Sequence, residues 1–373
     1  MKIAFLCKRQ YMSKDVILDK YARLYEIPNQ LALLGHQVEC YCLSYQSHDD
    51  GIWDDSNELK QLIWHSRSYK GLSKFKIWSY PFFLLQQLKK QSPDIIIAAS
   101  DIPHVVFGCW LAQKLNKPFV ADLYDNFEGF GQAKIPFMKT LLRKSVQSAQ
   151  LVTTTSQPLA ELVKNQYLAK GKVVSMPSTI DREIFFPRDK IEARNFLGLP
   201  LDKKLIGTAG GLYHDKGISV IYEAWEIVKS QIPDALLVLA GPYQKEFPIP
   251  TDDRIVYLGS LQHRDVATLF QALDLGVISI LDTPFGRYCF PQKAFEMLAC
   301  ELPVVVSNIG EMQYLFKAEA NTLFKSEDPI DLANTILKKM NALSCSQHKI
   351  EDWSEIMLRM NQDLIDIYKR NYF

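Results

Sequence analysis

The stretch FPQKAFEMLACELPVVVSN, residues 290–308, decides how this chain is read. It starts as a loop, continues as a helix opened by Pro291, and ends as a buried strand opened by Pro303. Proline suits a first helical turn because its missing N–H has no intrahelical partner there anyway. Lys293 and Glu296 fall within this helix, and Arg287 stands just upstream in the loop. The free N–H groups and positive dipole end of a helix N-terminus form a seat for phosphate. Glu296, nearly two turns in, is placed to accept hydrogen bonds from a hydroxyl pair such as a ribose diol. Val304, Val305 and Val306 make the continuous apolar run of a strand buried on both faces. Anion seat, diol acceptor and central strand together point to a nucleotide-diphosphate site.

On either side of this stretch, short apolar strands alternate with amphipathic helical segments, the pattern of α/β units on parallel sheets. Strands are predicted at 3–7, 38–43, 95–98, 119–122, 151–154 and 173–176, then at 205–208, 235–240, 255–258, 275–280 and 303–307. A helix over 21–34 is stopped by Gly35 as its C-cap. The segment PSTIDREIFFPRDK, residues 177–190, has two prolines and little periodicity. It separates an expected N-terminal domain, 1–183, from a second domain, 184–349. A closing helix from 350 to the end is expected to pack back on the first domain. Two doubly wound domains facing one cleft is the simplest assembly, because such sheets bind ligands at the carboxyl ends of their strands.

Composition sets bounds on function. The 373 residues are 47% hydrophobic and 23% charged, with a net charge of +1, ordinary for a globular chain with sizeable cores. Seven cysteines without a CxxC argue against a disulfide framework or a structural zinc site, and no metal site is expected. Cys40 and Cys42 share one face of a strand and read as core. The start, MKIAFLC, reads as a first strand rather than a signal peptide. No run approaches the ~20 apolar residues that span a bilayer, so a cytoplasmic protein is expected.

After the strand at 205–208 comes AGGLYHDKG, residues 209–217. Gly210 and Gly211 allow close backbone approach. Lys216 stands at the entrance of the next helix, where it could neutralise a diphosphate and assist a leaving group. Taken with residues 290–310, this segment resembles glycosyltransferase family 4, the retaining enzymes of the GT-B fold. LLGHQV (33–38), VSMPSTID (174–181), LLVLAG (236–241) and VYLG (256–259) agree, so the similarity runs along nearly the whole chain.

The resemblance implies two Rossmann-like domains around a cleft, the C-terminal one holding a nucleotide sugar, UDP- or GDP-linked, without a bound metal. It places Lys216 on the diphosphate and Glu296 on the ribose hydroxyls. Three positions depart from the family pattern. Gly211 stands where the family commonly has an arginine, and Tyr288 where it often has the first of two glutamates. KRQYMSKDV, residues 8–16, replaces the glycine-rich loop usual after the first strand. Arg287 is the candidate for the missing positive charge.

In the first half, VADLYDNFEG (120–129) puts Asp122, Tyr124, Asp125 and Glu128 at the carboxyl end of a buried strand. Asp125 is the chosen acceptor-side residue, with Tyr124 second and a helix-capping aspartate as the structural alternative. His104 reads as a satisfied loop histidine, His36 as part of a turn, and His214 as a neighbour of Lys216 within reach of phosphate. Residues 59–93 contain no acid, yet carry Arg67, Lys70, Lys74, Lys76, Lys89 and Lys90 interleaved with aromatics from Trp64 to Phe83. A second acid-free stretch, 129–160, holds Lys134, Lys139, Arg143 and Lys144. Such mixtures suit an anionic membrane surface, with a solvated face as the alternative. No nucleic-acid module accompanies the charge.

The expected function is therefore a retaining, metal-independent glycosyltransferase. It would move a sugar from a nucleoside-diphosphate sugar to a hydroxyl of a glycan or lipid-linked acceptor in cell-surface polysaccharide or glycolipid synthesis, from the cytoplasm or peripherally at the membrane's inner face. Other readings are a phosphorylase-like or epimerase enzyme, or a catalytically silent nucleotide-sugar-binding partner of another transferase. A dinucleotide oxidoreductase is disfavoured because no GxGxxG follows the first strand.

Overall fold

The computed structural model describes residues 1–12, 14–46, 48–68, 74–346 and 348–372, with the side chains at 74–78 and 320 left out. The chain divides into two compact units, Met1–Ser178 with Trp353–Phe373, and Thr179–Asp352.

The sheet of the first unit runs Lys172–Ser175, Leu151–Thr154, Phe119–Leu123, Ile95–Ala99, Lys2–Lys8, Gln37–Ser44, Gln61–Ser68, Gly51–Asp54. All neighbours are parallel except the last pair. The first strand therefore lies inside the sheet, between Gln37–Ser44 and Ile95–Ala99, and the strand order reverses across it. Ile95–Ala99 and Phe119–Leu123 are buried at every position, as strands covered by helices on both faces must be.

Two strands at the edge were not expected from the sequence. Gln61–Ser68 alternates correctly, with Leu62, Trp64, Ser66 and Ser68 inward, but the inward serines hide the pattern. Trp64 is core, stacked on Tyr25 with ring centroids 5.9 Å apart. It is thus unavailable to a membrane, contrary to its inclusion among the membrane-suited aromatics.

The closing helix, Trp353–Tyr372, belongs to the first unit. Ile356, Met357, Met360, Leu364 and Ile367 recur at helical spacing and join the core around Leu24, Ile27 and Leu31. Asn361 Oδ1 lies 2.6 Å from His36 Nε2, and Lys172 pairs with Asp363 at 2.6 Å.

The second unit carries one sheet in the order Ile255–Tyr257, Ala235–Ala240, Lys204–Ala209, Leu275–Ile278, Val304–Ser307, Leu323–Phe324. In chain order these are strands third, second, first, fourth, fifth and sixth, all parallel. The reversal falls between Lys204–Ala209 and Leu275–Ile278. A crevice opens outside the carboxyl ends of strands at such a point, so Ala209 and Ile278 mark the candidate place for a ligand on this unit.

Candidate functional site

The segments leaving those two strands carry the residues singled out from the sequence. Gly210, at the end of Lys204–Ala209, has φ +108°, a conformation that side chains rarely adopt. A Cβ there would lie 3.4 Å from Lys293 Cε and 3.5 Å from its Nζ. The chain then makes a short 3-10 turn, His214–Lys216, and enters the helix Ile218–Gln231 through Gly217. Gly217 has φ +68°, and a Cβ would come within 2.4 Å of Ser279 Oγ just after the neighbouring strand. Glycine is thus what brings Lys216 against the carboxyl ends of both central strands.

Lys216 Nζ stands 3.6 Å from the centroid of the Phe285 ring. Phe285 belongs to the helix Pro284–Tyr288, which Thr283 caps by accepting a bond from Gly286 N. Arg287 and Tyr288 therefore lie on a helix rather than in the expected loop, because Thr283-Pro284 supplies a cap and a first-turn proline. Arg287 Nε donates to Asp282 Oδ1 at 2.5 Å, and the arginine side chain is 56% exposed. This bond holds Asp282 below the usual carboxylate range and raises Arg287 further. Tyr288 is half-buried.

The next helix is Gln292–Ala299, with Pro291 at its N-cap, one position earlier than a first-turn proline. Glu296 is consequently its fifth residue, just over one turn in rather than nearly two. No side chain caps this helix or Ile218–Gln231; backbone carbonyls take part of their first turns, with Gln292 N donating to Phe290 O, Ala294 N to Pro291 O and Ile218 N to Tyr213 O. Lys293 Nζ donates to Thr208 Oγ1 at 3.3 Å. Burial of its ammonium end pushes Lys293 down to about 8, with Glu296 opposing that shift and Lys216 adding to it. Glu296 Oε1 lies 3.7 Å from His263 Nε2, the glutamate 13% and the histidine 53% exposed. Gly210, Lys216, Lys293 and Glu296 are thus gathered at one end of the sheet. Gly211 is adjacent, its open side filled by the Tyr213 ring, 2.6 Å from where a Cβ would stand. His214 turns to Phe247, with ring centroids 4.7 Å apart.

Thr208, Phe285 and His263 were missed from the sequence. Each acts through a contact between segments far apart in the chain. The switch-point rule would have signalled Thr208, the penultimate residue of its strand; nothing local signals His263.

In the first unit, the reversal between Lys2–Lys8 and Ile95–Ala99 gathers a second polar group. Lys8 Nζ donates to Tyr124 Oη at 2.8 Å, and Lys8 N donates to Ser100 Oγ at 2.8 Å. Burial lowers the Lys8 pKa, although Asp101 and Asp125 favour its charged form. His104 Nδ1 and Asp101 Oδ1 are 2.6 Å apart, and Tyr45 Oη donates to Asp101 Oδ2 at 2.8 Å. His104 is therefore satisfied within a helix start that Asp101 caps. Asp122 is not a site residue: Arg23 grips it through Nε at 2.9 Å and Nη2 at 2.5 Å, with both side chains fully buried. Asp125 is half-buried beside Tyr124, and its Oδ1 accepts from Asn126 N at 2.7 Å.

Of the basic residues proposed for a membrane, Arg67 bonds Asp50 at 3.2 Å and lies over the Phe83 ring. Lys70 and the side chains of Lys74 and Lys76 lie outside the described residues. Among the described residues no cluster of His, Cys, Asp or Glu could hold a metal ion, and no helix is long and apolar enough to cross a membrane.

Family models match both halves of the chain. The model for Glycosyltransferase Family 4 matches residues 22–184, and that for Glycosyl transferases group 1 matches 203–341. The chain belongs to the family-4 type glycosyltransferases and has the GT-B fold. A D-inositol 3-phosphate glycosyltransferase of Stackebrandtia nassauensis is 27% identical over 256 residues, covering 64% of this chain and 55% of the relative. TuaC of Bacillus subtilis, named for teichuronic acid biosynthesis, is 25% identical over 257 residues, covering 68% of this chain and 64% of the relative. The chain thus aligns with only part of the length of these relatives. Among solved structures, sucrose-phosphate synthase from Thermosynechococcus elongatus superposes with a TM-score of 0.70 at 18% identity, covering 99% of both chains. Anabaena HepE in complex with UDP and glucose gives 0.66 at 18% identity, covering 98% of this chain and 99% of that one.

Proposed function

We propose that the protein is a retaining glycosyltransferase that takes its sugar from a nucleoside-diphosphate donor, UDP- or GDP-linked. The observation that carries this is the meeting of Lys216, Lys293 and Glu296 at the reversal point of the second sheet, beside two helix starts without side-chain caps. Cations beside the positive end of a helix suit a diphosphate. Glu296, on the same helix as Lys293, is the acceptor for ribose hydroxyls. Lys216 stabilises the charge that develops on the departing diphosphate, work that needs no metal ion. That HepE was solved with UDP and glucose supports a uridine donor among the candidates.

In the first unit, Asp125 and Tyr124 are the proposed acceptor-side residues, with Lys8 holding the tyrosine hydroxyl. The acceptor is a hydroxyl of a glycan or lipid-linked glycan in cell-surface polysaccharide or glycolipid synthesis. The teichuronic acid name of one relative supports that class. An anionic membrane surface at the inner face is the proposed partner, and the described residues favour 134–144 as the contact. Ile135 is 50%, Phe137 79% and Leu141 40% exposed. Lys134, Lys139 and Lys144 stand among them in a stretch without acids. Arg143 is excluded because it pairs with Glu128 at 2.6 Å.

Incubation of the full chain with a panel of nucleotide sugars tests the enzyme reading. Release of nucleoside diphosphate, by transfer or slow hydrolysis, is the expected result. Saturable binding of a nucleotide sugar without any turnover, even with candidate acceptors, would instead favour a catalytically silent partner.

A further inference from the structure

We infer that Lys293 is the second cation of the diphosphate site, in the place of the arginine for which Gly211 stands, and that it sets the preference for a diphosphate over a monophosphate. This rests on reading Thr179–Asp352 as the donor-binding unit.

Position 211 cannot supply the charge as the chain is packed, because the Tyr213 ring fills the space a side chain would enter. Nor does Arg287, whose guanidinium is bonded to Asp282 on an exposed helix face. Lys293 is the remaining candidate, and its surroundings are those of a cation prepared for an anion. Its ammonium lies over the bare backbone of Gly210 and has one hydrogen-bond partner among the described residues, the neutral Thr208 hydroxyl. Among the described residues no carboxylate forms an ion pair with it, although Glu296 shares its helix. Enclosure lowers the Lys293 pKa to about 8, Glu296 opposes that shift, and Lys216 is near enough to add to it as a second positive group. A partly desolvated ammonium beside another cation is costly alone and gains from a bridging anion. The open φ of Gly210 keeps the space beside the ammonium free of a side chain.

The test compares the full chain with Lys293→Met and Lys293→Gln, using calorimetry with uridine, guanosine and adenosine diphosphates and the matching monophosphates. The variants are expected to bind the preferred diphosphate about 10- to 100-fold more weakly, the scale of one charge-assisted bond, while monophosphate affinity changes less than about threefold. Wild-type protein at pH 8.5 should also take up protons on binding diphosphate, seen as heats that differ between buffers. Binding recharges Lys293, with Lys216, Glu296 and the Glu296-paired His263 as the other groups at the site. The uptake should vanish in both variants. Folded variants with unchanged diphosphate preference overturn the inference alone. If neither variant folds, the wild-type measurement decides, and absence of proton uptake overturns it. Failure of every nucleotide to bind wild-type protein overturns the donor reading as well.

Discussion

Lys216 Nζ sits 3.6 Å from the centroid of the Phe285 ring, so the lysine at the entrance of one helix is positioned by an aromatic on another. A cation over an aromatic face gains about 0.5–2 kcal/mol, depending on exposure. The ring holds the ammonium near the carboxyl ends of the central strands without neutralising it, as a carboxylate would. Lys216→Ala is expected to lower turnover by about two orders of magnitude, more than it weakens donor binding. Phe285→Leu should cost turnover less than about tenfold, through positioning alone. Equal loss of kcat in both variants, or near-normal kcat in Lys216→Ala, would contradict these roles.

Arg287 is expected to matter less. Its bond to Asp282 directs it along the protein surface, and both partners are about half exposed. Arg287→Ala should therefore reduce turnover by a much smaller factor than Lys216→Ala under the same conditions. Steady-state kinetics of the two variants give the order directly, and the reverse order would return Arg287 to the diphosphate.

The buried Arg23–Asp122 pair predicts a stability effect rather than a catalytic one. Thr153 Oγ1 also donates to Asp122 at 2.6 Å, and Arg23 Nη1 donates to Met176 O at 2.6 Å. Removing one member of such a pair leaves an uncompensated charge and costs about 3–5 kcal/mol. Arg23→Met should lower the urea midpoint strongly, and adding Asp122→Leu should restore part of it. A single variant as stable as wild type would show that the pair is not closed in solution.

Asp55 gives a prediction in pH. Burial pushes its carboxyl upward, but bonds from Lys60, Tyr25 and Lys20 outweigh this and hold it at about 2, below its ordinary 3.8. A carboxyl depressed on folding adds stability above the unfolded pKa, and this is lost as pH falls through the folded value. Asp55→Asn should therefore cost up to roughly 2 kcal/mol near neutrality. That difference should shrink between about pH 4 and pH 2. Urea titrations of both proteins across this range measure it, and a constant difference would reject the assignment.

Much of the architecture was legible because it follows from apolar runs. Val304–Ser307 and Ile95–Ala99 are buried on both faces, and both sheets order their strands as doubly wound sheets do. Gln61–Ser68 escaped because Ser66 and Ser68 point inward, and an alternation completed by serine does not look hydrophobic. At the site, Gly210, Lys216, Lys293 and Glu296 were legible from glycine, charge and helix-start signals. The bond that turns Arg287 outward was not, because helix Pro284–Tyr288 was read as a loop. Asp122 looked like a cleft residue only while its partner Arg23, 99 positions away, was out of view.

Membrane contact through 134–144 predicts co-sedimentation with anionic but not neutral vesicles. Each basic residue near such a surface contributes on the order of 1 kcal/mol, screened by salt. Phe137→Ser should weaken binding at all salt concentrations, whereas glutamine at Lys134, Lys139 and Lys144 should remove its salt dependence. Equal recovery with both vesicle types, or none with either, would leave this ridge as a solvated face.

The central claim, that the second unit holds a nucleoside-diphosphate sugar with Glu296 on the ribose, is tested most directly by thermal unfolding with a panel of nucleotide sugars. At a ligand concentration about 100 times its dissociation constant, the correct donor should add about 2.7 kcal/mol of stability. Glu296→Ala should weaken that donor and its free diphosphate by roughly 1.5–3 kcal/mol while remaining folded. Wild-type protein stabilised by one donor and a variant needing at least tenfold more of it is the result the account predicts. No stabilisation by any nucleotide sugar, or the same titration curve for the folded variant, would contradict it.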